Sequence, residues 1–265
     1  MPDAESSRQR AGQIAFPTDL TQTAGPLLLS PLEFDALCAQ AKLLDGRLGR
    51  PLLLGHSNAG GRNLVTRIWY PKGPISSDRL RPYSERFVHA AARLRALGVE
   101  APRVCAYGRI AGGKLRFVSY EPVRGPTLRE TGGAFDTMRL ARFVLALHDQ
   151  GVYLRGLKLG SVVRLADGGL GLDDVTGTHF KRRPLSRRQR ARNLAILCSH
   201  PQDLAFMGNG RWSELVMAYC RAAGVTLAQA ARMREHVRVQ VQRRNARRAQ
   251  LPDPVLNPVA PGGVV

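Results

Sequence analysis

Apolar residues recur in two rhythms along the chain: short runs separated by turn residues in the first half, and three-and-four steps in the second. After a polar lead over 1–26 without periodicity, Ser30-Pro31 opens a short helix with Leu32, Leu37, Ala41 and Leu44 on one side. Leu52-Leu53-Leu54-Gly55 and Leu64-Val65-Thr66-Arg67-Ile68-Trp69 flank His56-Ser57-Asn58-Ala59-Gly60-Gly61, a turn composition, and predict a hairpin. A helix is predicted over 78–97, because Tyr83, Phe87, Ala90, Ala91, Leu94 and Leu97 share one face and Gly98 stops it. Val104–Ile110 and Leu115–Tyr120, joined through Gly112-Gly113, predict a second hairpin.

Glu121-Pro122-Val123-Arg124-Gly125-Pro126-Thr127-Leu128 reads as a connector punctuated by Pro and Gly. Beyond it the pattern turns helical. An amphipathic helix is predicted over 135–149, ending at Gly151, then a short hairpin turning at Ala166-Asp167-Gly168-Gly169. Further helices fall within 186–200, 212–223 and 226–248. From Leu251 onward Pro252, Pro254, Pro258 and Pro261 with Gly262-Gly263 mark a tail. The expected organisation is a disordered lead (1–26), a small β-rich lobe with one main helix (27–121), a larger helical lobe (122–248) and a disordered tail (249–265). The fold class is α+β, in two lobes.

Composition changes this picture in one respect. Of 265 residues, 40 are Lys or Arg and 20 are Asp or Glu, a net charge of +20, while the hydrophobic share of 44% is ordinary. Sixteen of the basic residues lie between Lys181 and Gln250, against only Asp203, Glu214 and Glu235. Anionic partners follow from that charge. The cysteines, Cys38, Cys105, Cys198 and Cys220, are scattered without a C-x-x-C pair, which argues for reduced core thiols over a zinc site or disulfide framework. The first 19 residues lack the apolar core of a signal peptide, and no apolar run reaches the ~20 residues of a spanning helix. A cytoplasmic protein is expected, peripheral at most on the cytosolic face of the inner membrane.

The chemistry concentrates in Leu147-His148-Asp149-Gln150-Gly151-Val152-Tyr153-Leu154-Arg155-Gly156-Leu157-Lys158-Leu159-Gly160-Ser161, followed by Leu172-Asp173-Asp174. Its frame is that of the kinase catalytic loop H-R-D-x-x-x-x-N and the metal-binding Asp beyond it. Gly156 to Ser161 spans the same five residues as Asp to Asn in that loop. Gly156 to Asp174 spans 18, which favours Asp174 over Asp173. Gly156 stands where a base Asp would be and Ser161 where a metal-ligand Asn would be.

Further stretches strengthen the match. They are Pro82–Phe87 with Leu94–Val99, Tyr120–Gly125 with Leu128-Arg129-Glu130, Gly151–Arg155 with Leu157–Gly160, and Pro184–Arg188 with Arg192-Asn193-Leu194. As a set, over about residues 50–220, they resemble bacterial lipopolysaccharide core kinases, and among these the kinase-like toluene-tolerance proteins. The resemblance implies a protein-kinase-like two-lobed fold, with ATP and Mg²⁺ as cofactors and a place in lipopolysaccharide or cell-envelope biology. It assigns Arg67 to the strand position of the phosphate-gripping Lys and Glu85, or in another alignment Phe87, to the helix position facing it. Lys158 takes the place of the Lys that contacts the transferred phosphate, and Asp174 with Ser161 that of the metal ligands.

Each assignment has a plainer reading. Arg67 can face solvent from a strand, and Arg is not a neutral replacement for Lys. Glu85 can be an exposed helix residue, and Gly55, Gly60 and Gly61 a plain hairpin turn, since they do not spell G-x-G-x-x-G. His148 reads as a buried helix-end residue. With no intact base in the degenerate loop of Arg155, Gly156, Lys158 and Ser161, the expected function is a pseudokinase or weak phosphotransferase. The arginine clusters at 181–192 and 232–248 suggest docking to lipopolysaccharide core, another phosphorylated glycan or lipid, or an anionic membrane surface. A nucleic-acid- or membrane-surface-binding protein on a reused fold is the alternative. Few aromatics accompany the clusters to stack bases.

Overall fold

The computed structural model describes residues 26–45, 51–57, 61–70, 81–208 and 210–250. The expected lead (1–26) as far as residue 25, the expected tail (249–265) from residue 251, Gly60 and the start of the helix expected from 78 lie outside the described residues. The chain divides into two compact units. One takes in the described residues up to Arg93 together with Pro102–Pro122; the other takes in Leu94–Ala101 and the described residues from Val123.

The first unit is built on a six-stranded sheet in the order β1-β5-β6-β4-β3-β2. Its strands are β1 (Leu27–Leu29), β2 (Lys42–Asp45), β3 (Leu52–Ser57), β4 (Asn63–Trp69), β5 (Arg103–Ile110) and β6 (Arg116–Glu121). Both expected hairpins are present, β3 with β4 and β5 with β6, and β4 pairs antiparallel with β6. Alternation along β4 places Leu64 and Ile68 on one face, in a core with Leu54, Phe117 and Leu37 of α1 (Pro31–Gln40). The other face carries Arg67 and Trp69, and Phe87 of α2 (Tyr83–Ala96) lies against Trp69 and Tyr120, with ring centroids 6.2 and 4.8 Å apart.

Two expectations for this unit are corrected. The first helix stops at Gln40, because Ala41 is extended (φ −92°, ψ 143°) and Lys42 and Leu43 pair with Gly55 and Leu54. Leu32 and Leu44 therefore do not form its buried stripe. They are 81% and 52% exposed, and Phe34, Leu37 and Cys38 do the packing. Sheet pairing has overridden a helical rhythm that ran on by chance. The second correction adds β1, which runs parallel to β5, Leu27 opposite Gly108. A Cβ on Gly108 would fall 1.9 Å from the Leu27 carbonyl oxygen, so only glycine admits that strand.

The second unit is mainly helical, so the expected α+β class and order of elements stand. Its long helices are α3 (Thr137–Asp149), α4 (Arg187–Cys198), α6 (Arg211–Ala222) and α7 (Leu227–Ala249), with a four-residue α5 (Leu204–Met207). Asp136 caps α3, accepting the N–H groups of Met138 and Arg139, and Ser186 and Thr226 form capping boxes with Gln189 and Gln229. The expected short hairpin is β8 (Val162–Arg164) with β9 (Leu170–Leu172). A second antiparallel pair, β7 (Val152–Leu154) with β10 (Thr178–Phe180), was not visible as a pattern. From Val123 on, the expected connector is fastened: Leu128 N–H donates to the Val162 carbonyl, and Arg164 N–H to that of Pro126. Among the described residues, no helix is long and apolar enough to cross a membrane.

Candidate functional site

The loop that carries the kinase-like frame leaves β7 at Leu154 and passes Gly156, Lys158 and a 3-10 turn, Leu159–Ser161, before entering β8. The structure brings Lys158 and Asp174 together, Nζ to Oδ2 at 3.8 Å, both half-buried. Thr176 completes the carboxylate's surroundings, its N–H and O–H donating to Asp174 Oδ1 at 3.4 and 3.2 Å. The neighbouring Asp173 has another job. It accepts the Val123 N–H at 3.3 Å, and its own N–H donates to the Ser161 carbonyl at 3.0 Å.

Ser161 is buried, and its hydroxyl is committed to the loop: it donates to the Lys158 carbonyl at 2.8 Å and accepts the Lys158 N–H at 3.2 Å. A metal ligand role would require it to abandon both. Among the described residues no three His, Cys, Asp or Glu side chains come together as a metal site. One carboxylate, completed by phosphate oxygens and waters, is a donor set that fits a single Mg²⁺. That ion holds its near-octahedral shell with one or two carboxylates, phosphate oxygens and waters, and Asp174 supplies one carboxylate. Gly156 is exposed, and a Cβ built on it meets nothing within 4 Å. Arg155 beside it is exposed at its side chain, while its N–H donates to the Gly177 carbonyl at 3.0 Å.

In the first unit Arg67 does not face solvent. It is 7% exposed, with its guanidinium 5.4 Å from the Phe87 ring centroid and 5.9 Å from that of Trp69. Of the two alignments, the structure puts Phe87 beside Arg67, and a stacked guanidinium gains cation–π attraction there. Glu85 is half exposed and pairs with Arg116, at 3.7 Å, rather than with Arg67. Gly55 sits in β3 opposite Val65, and Gly61 takes φ +71° in the turn after it.

The loop is held from beneath by residues that no motif singles out. Asp203 is fully buried and accepts the Arg129 Nε–H at 2.7 Å and the Leu159 N–H at 2.8 Å. Asn193 is buried beneath β7, donating to the Leu154 carbonyl at 2.6 Å and accepting the Leu154 N–H at 3.4 Å. That fork fixes which Asn193 atom is the oxygen, so His148 Nε2, 3.0 Å away, must donate to it. His148 Nδ1 is then the acceptor of the Tyr219 hydroxyl at 2.9 Å, and Tyr219 in turn accepts from Arg190 at 3.1 Å. His148 is thus the buried helix-end residue expected. The sequence signals for Arg129 and Asn193 were their places in the resembling stretches; for Asp203 it was an acid within a basic region.

Burial holds the His148 pKa down at about 4, because the charged ring would lose its hydration. Half-buried His200 is also lowered to about 4, again chiefly by desolvation. An unfolded histidine titrates near 6.5, so the unfolded chain takes up protons that the folded one does not. Stability is full above about pH 6.5 and falls as pH drops towards 4. The His148 share is on the order of 3 kcal/mol. Urea midpoints from pH 7 to 4.5 should fall, and His148→Gln should flatten the slope in part, with His200 carrying the remainder. An unchanged slope would remove His148 as its source.

The two arginine clusters are only partly surface charge. Arg244 donates to the Ser199 hydroxyl at 3.0 Å and Arg248 to the Ser199 carbonyl at 2.8 Å, while Arg238 pairs with Glu235 at 2.6 Å. Arg190 is engaged by Asp149 at 2.7 Å. Arg232, Arg234, Arg243 and Arg247 remain exposed along α7.

No protein-family model and no curated protein matches the chain. Solved structures similar to it include a 2.2 Å crystal structure of WbdD, at 14% identity and a TM-score of 0.43, covering 76% of this chain and 50% of that one. Another is a medium-resolution structure described as the bifunctional kinase-methyltransferase WbdD, at 16% identity and a TM-score of 0.40, covering 72% and 47%. The chain spans about half the length of those it matches.

Proposed function

We propose that the chain is a kinase-like protein of the lipopolysaccharide-kinase and toluene-tolerance type, in which the loop binds nucleotide and phosphoryl transfer is weak or lost. The observation that carries this reading is the pairing of Lys158 with Asp174 in a loop of kinase spacing that has a glycine at the base position. Phosphoryl transfer is mostly positioning and charge neutralisation. Asp174 would hold one Mg²⁺, which neutralises phosphate charge when bound, and the Lys158 ammonium would lie beside the phosphates. Gly156 offers nothing to accept the acceptor's proton, an assistance worth roughly 10²–10⁴ in rate. A role in the cell envelope, with a phosphorylated glycan or lipid as partner, follows from the same resemblance.

ATP with Mg²⁺ should raise the melting temperature. At a ligand concentration of about 100 Kd the stabilisation is ~2.7 kcal/mol, or several degrees for a protein of this size. Asp174→Ala should abolish the shift without lowering the unliganded Tm by more than a degree or two. No shift at millimolar nucleotide would sink the nucleotide reading. The exposed arginines of α7 support the rival, a basic nucleic-acid- or membrane-surface-binding protein. Salt-sensitive binding to random duplex DNA in a protein blind to ATP would favour it.

A further inference from the structure

The second unit holds a cavity of about 450 Å³ where the start of α4, the end of α6 and the first turns of α7 meet. Its volume is that of a small-ligand site. Leu185, Cys220, Val225 and Met233 give it an apolar lining. Arg187, Arg232 and His236 bring cationic or protonatable groups to the same space, and all three are exposed. Arg190 also lines it, but that guanidinium is satisfied by the Leu185 carbonyl, the Tyr219 hydroxyl and Asp149. Arg232 donates its Nε–H to the Ala228 carbonyl at 3.3 Å, one turn back on its own helix, which leaves its terminal nitrogens for another acceptor.

Among the described residues, no carboxylate lines the cavity. Glu235, three residues from Arg232, is engaged by Arg238, and Asp149 is engaged by Arg190, the lining arginine already satisfied. Cations gathered in a concave, partly apolar space repel one another, and a bound anion relieves that repulsion. Two arginines approaching from different helices suit a tetrahedral oxyanion, since each planar fork can offer paired N–H donors. The apolar lining would meet the carbon portion of the ligand.

We propose that this cavity binds a phosphate ester, Arg187 and Arg232 holding the phosphate and the apolar lining holding the group it esterifies. The site shares no residue with the loop of Gly156, Lys158, Ser161 and Asp174, so it stands or falls apart from the nucleotide reading. A phosphate ester can reach it as a soluble sugar phosphate or as a lipid headgroup, and the two sources separate experimentally.

The full chain would be titrated with glucose 1-phosphate, and separately with phosphatidylcholine vesicles containing phosphatidylglycerol. Glucose and pure phosphatidylcholine vesicles serve as uncharged controls. The double variant Arg187→Ala/Arg232→Ala should weaken binding of the active probe tenfold or more. Both residues are exposed, so its Tm should match that of the wild type. A second double variant, Arg234→Ala/Arg243→Ala, removes the same charge from α7 outside the cavity and should leave the affinity within about twofold. Binding of the sugar phosphate identifies a soluble ligand, and binding of vesicles alone a headgroup; either supports the site if the first variant loses it selectively. Equal losses in the two double variants would reduce the site to diffuse surface charge and overturn the proposal, as would failure of both probes to bind the wild type.

Discussion

Asp203→Ala should destabilise the second unit by about 3–5 kcal/mol, the usual cost of removing one partner from a buried ion pair. Its carboxylate is fully buried and holds two things at once, the Arg129 guanidinium and the N–H of Leu159 that opens the 3-10 turn of the loop. Alanine leaves a partly buried cation and a backbone donor without their acceptor. Against a total stability of about 5–15 kcal/mol, that is a large fraction. Urea denaturation would measure it. Asp203→Asn keeps an acceptor for Leu159 but surrenders the charge, and should cost less. A cost for alanine below about 1 kcal/mol would show that the pair behaves like an exposed one and does not anchor the loop.

The same anchor explains Gly160. A Cβ there would lie 2.7 Å from the Arg129 Cζ and Nη1 atoms, so any side chain pushes the guanidinium away from Asp203. Gly160→Ala is therefore expected to destabilise the wild type, and to cost less once Asp203 has been replaced. Neighbouring substitutions couple in this way when they act through one shared group.

What the sequence revealed and what it concealed divide along the range of the interactions. The helices α3 and α6 and the hairpins β3–β4 and β5–β6 were legible because their signals are local: an apolar face at helical spacing, or two runs around a turn. Strand β1 was not, since its three residues pair with a strand some eighty positions away. The helical rhythm runs on to Leu44 because that residue falls in phase with Leu37; pairing with β3 decides otherwise. The loop frame was legible as spacing, and Lys158 and Asp174 do meet. Its support was not, because Arg129 and Asp203 are 74 positions apart and His148 and Tyr219 are 71 apart. For charged residues the sequence gives the type and not the partner. Arg67 is placed among rings, and Glu85 with Arg116.

Gly156→Asp should leave the fold unchanged and raise ATP turnover by about 10²–10⁴, the worth of a positioned general base. A Cβ at this position meets nothing within 4 Å, and the residue is exposed, so the aspartate enters open space. Its stability should stay within about 0.5 kcal/mol of the wild type, as for ordinary surface changes. The new carboxylate would stand two residues from Lys158, in a loop still fixed by Asp203 at Leu159 and by Asn193 at Leu154. Steady-state hydrolysis by the single variant, and its loss in Gly156→Asp/Asp174→Ala, would place the missing activity in one absent group. Turnover no better than wild type, with nucleotide still bound, would place the loss deeper, in Ser161. Its hydroxyl is committed to the Lys158 backbone, so the second metal ligand cannot be restored by rotation alone. The loop is held by Asp203 and Asn193 on either side of a glycine with open space beside it, which is why this one substitution can test the base position without disturbing the fold.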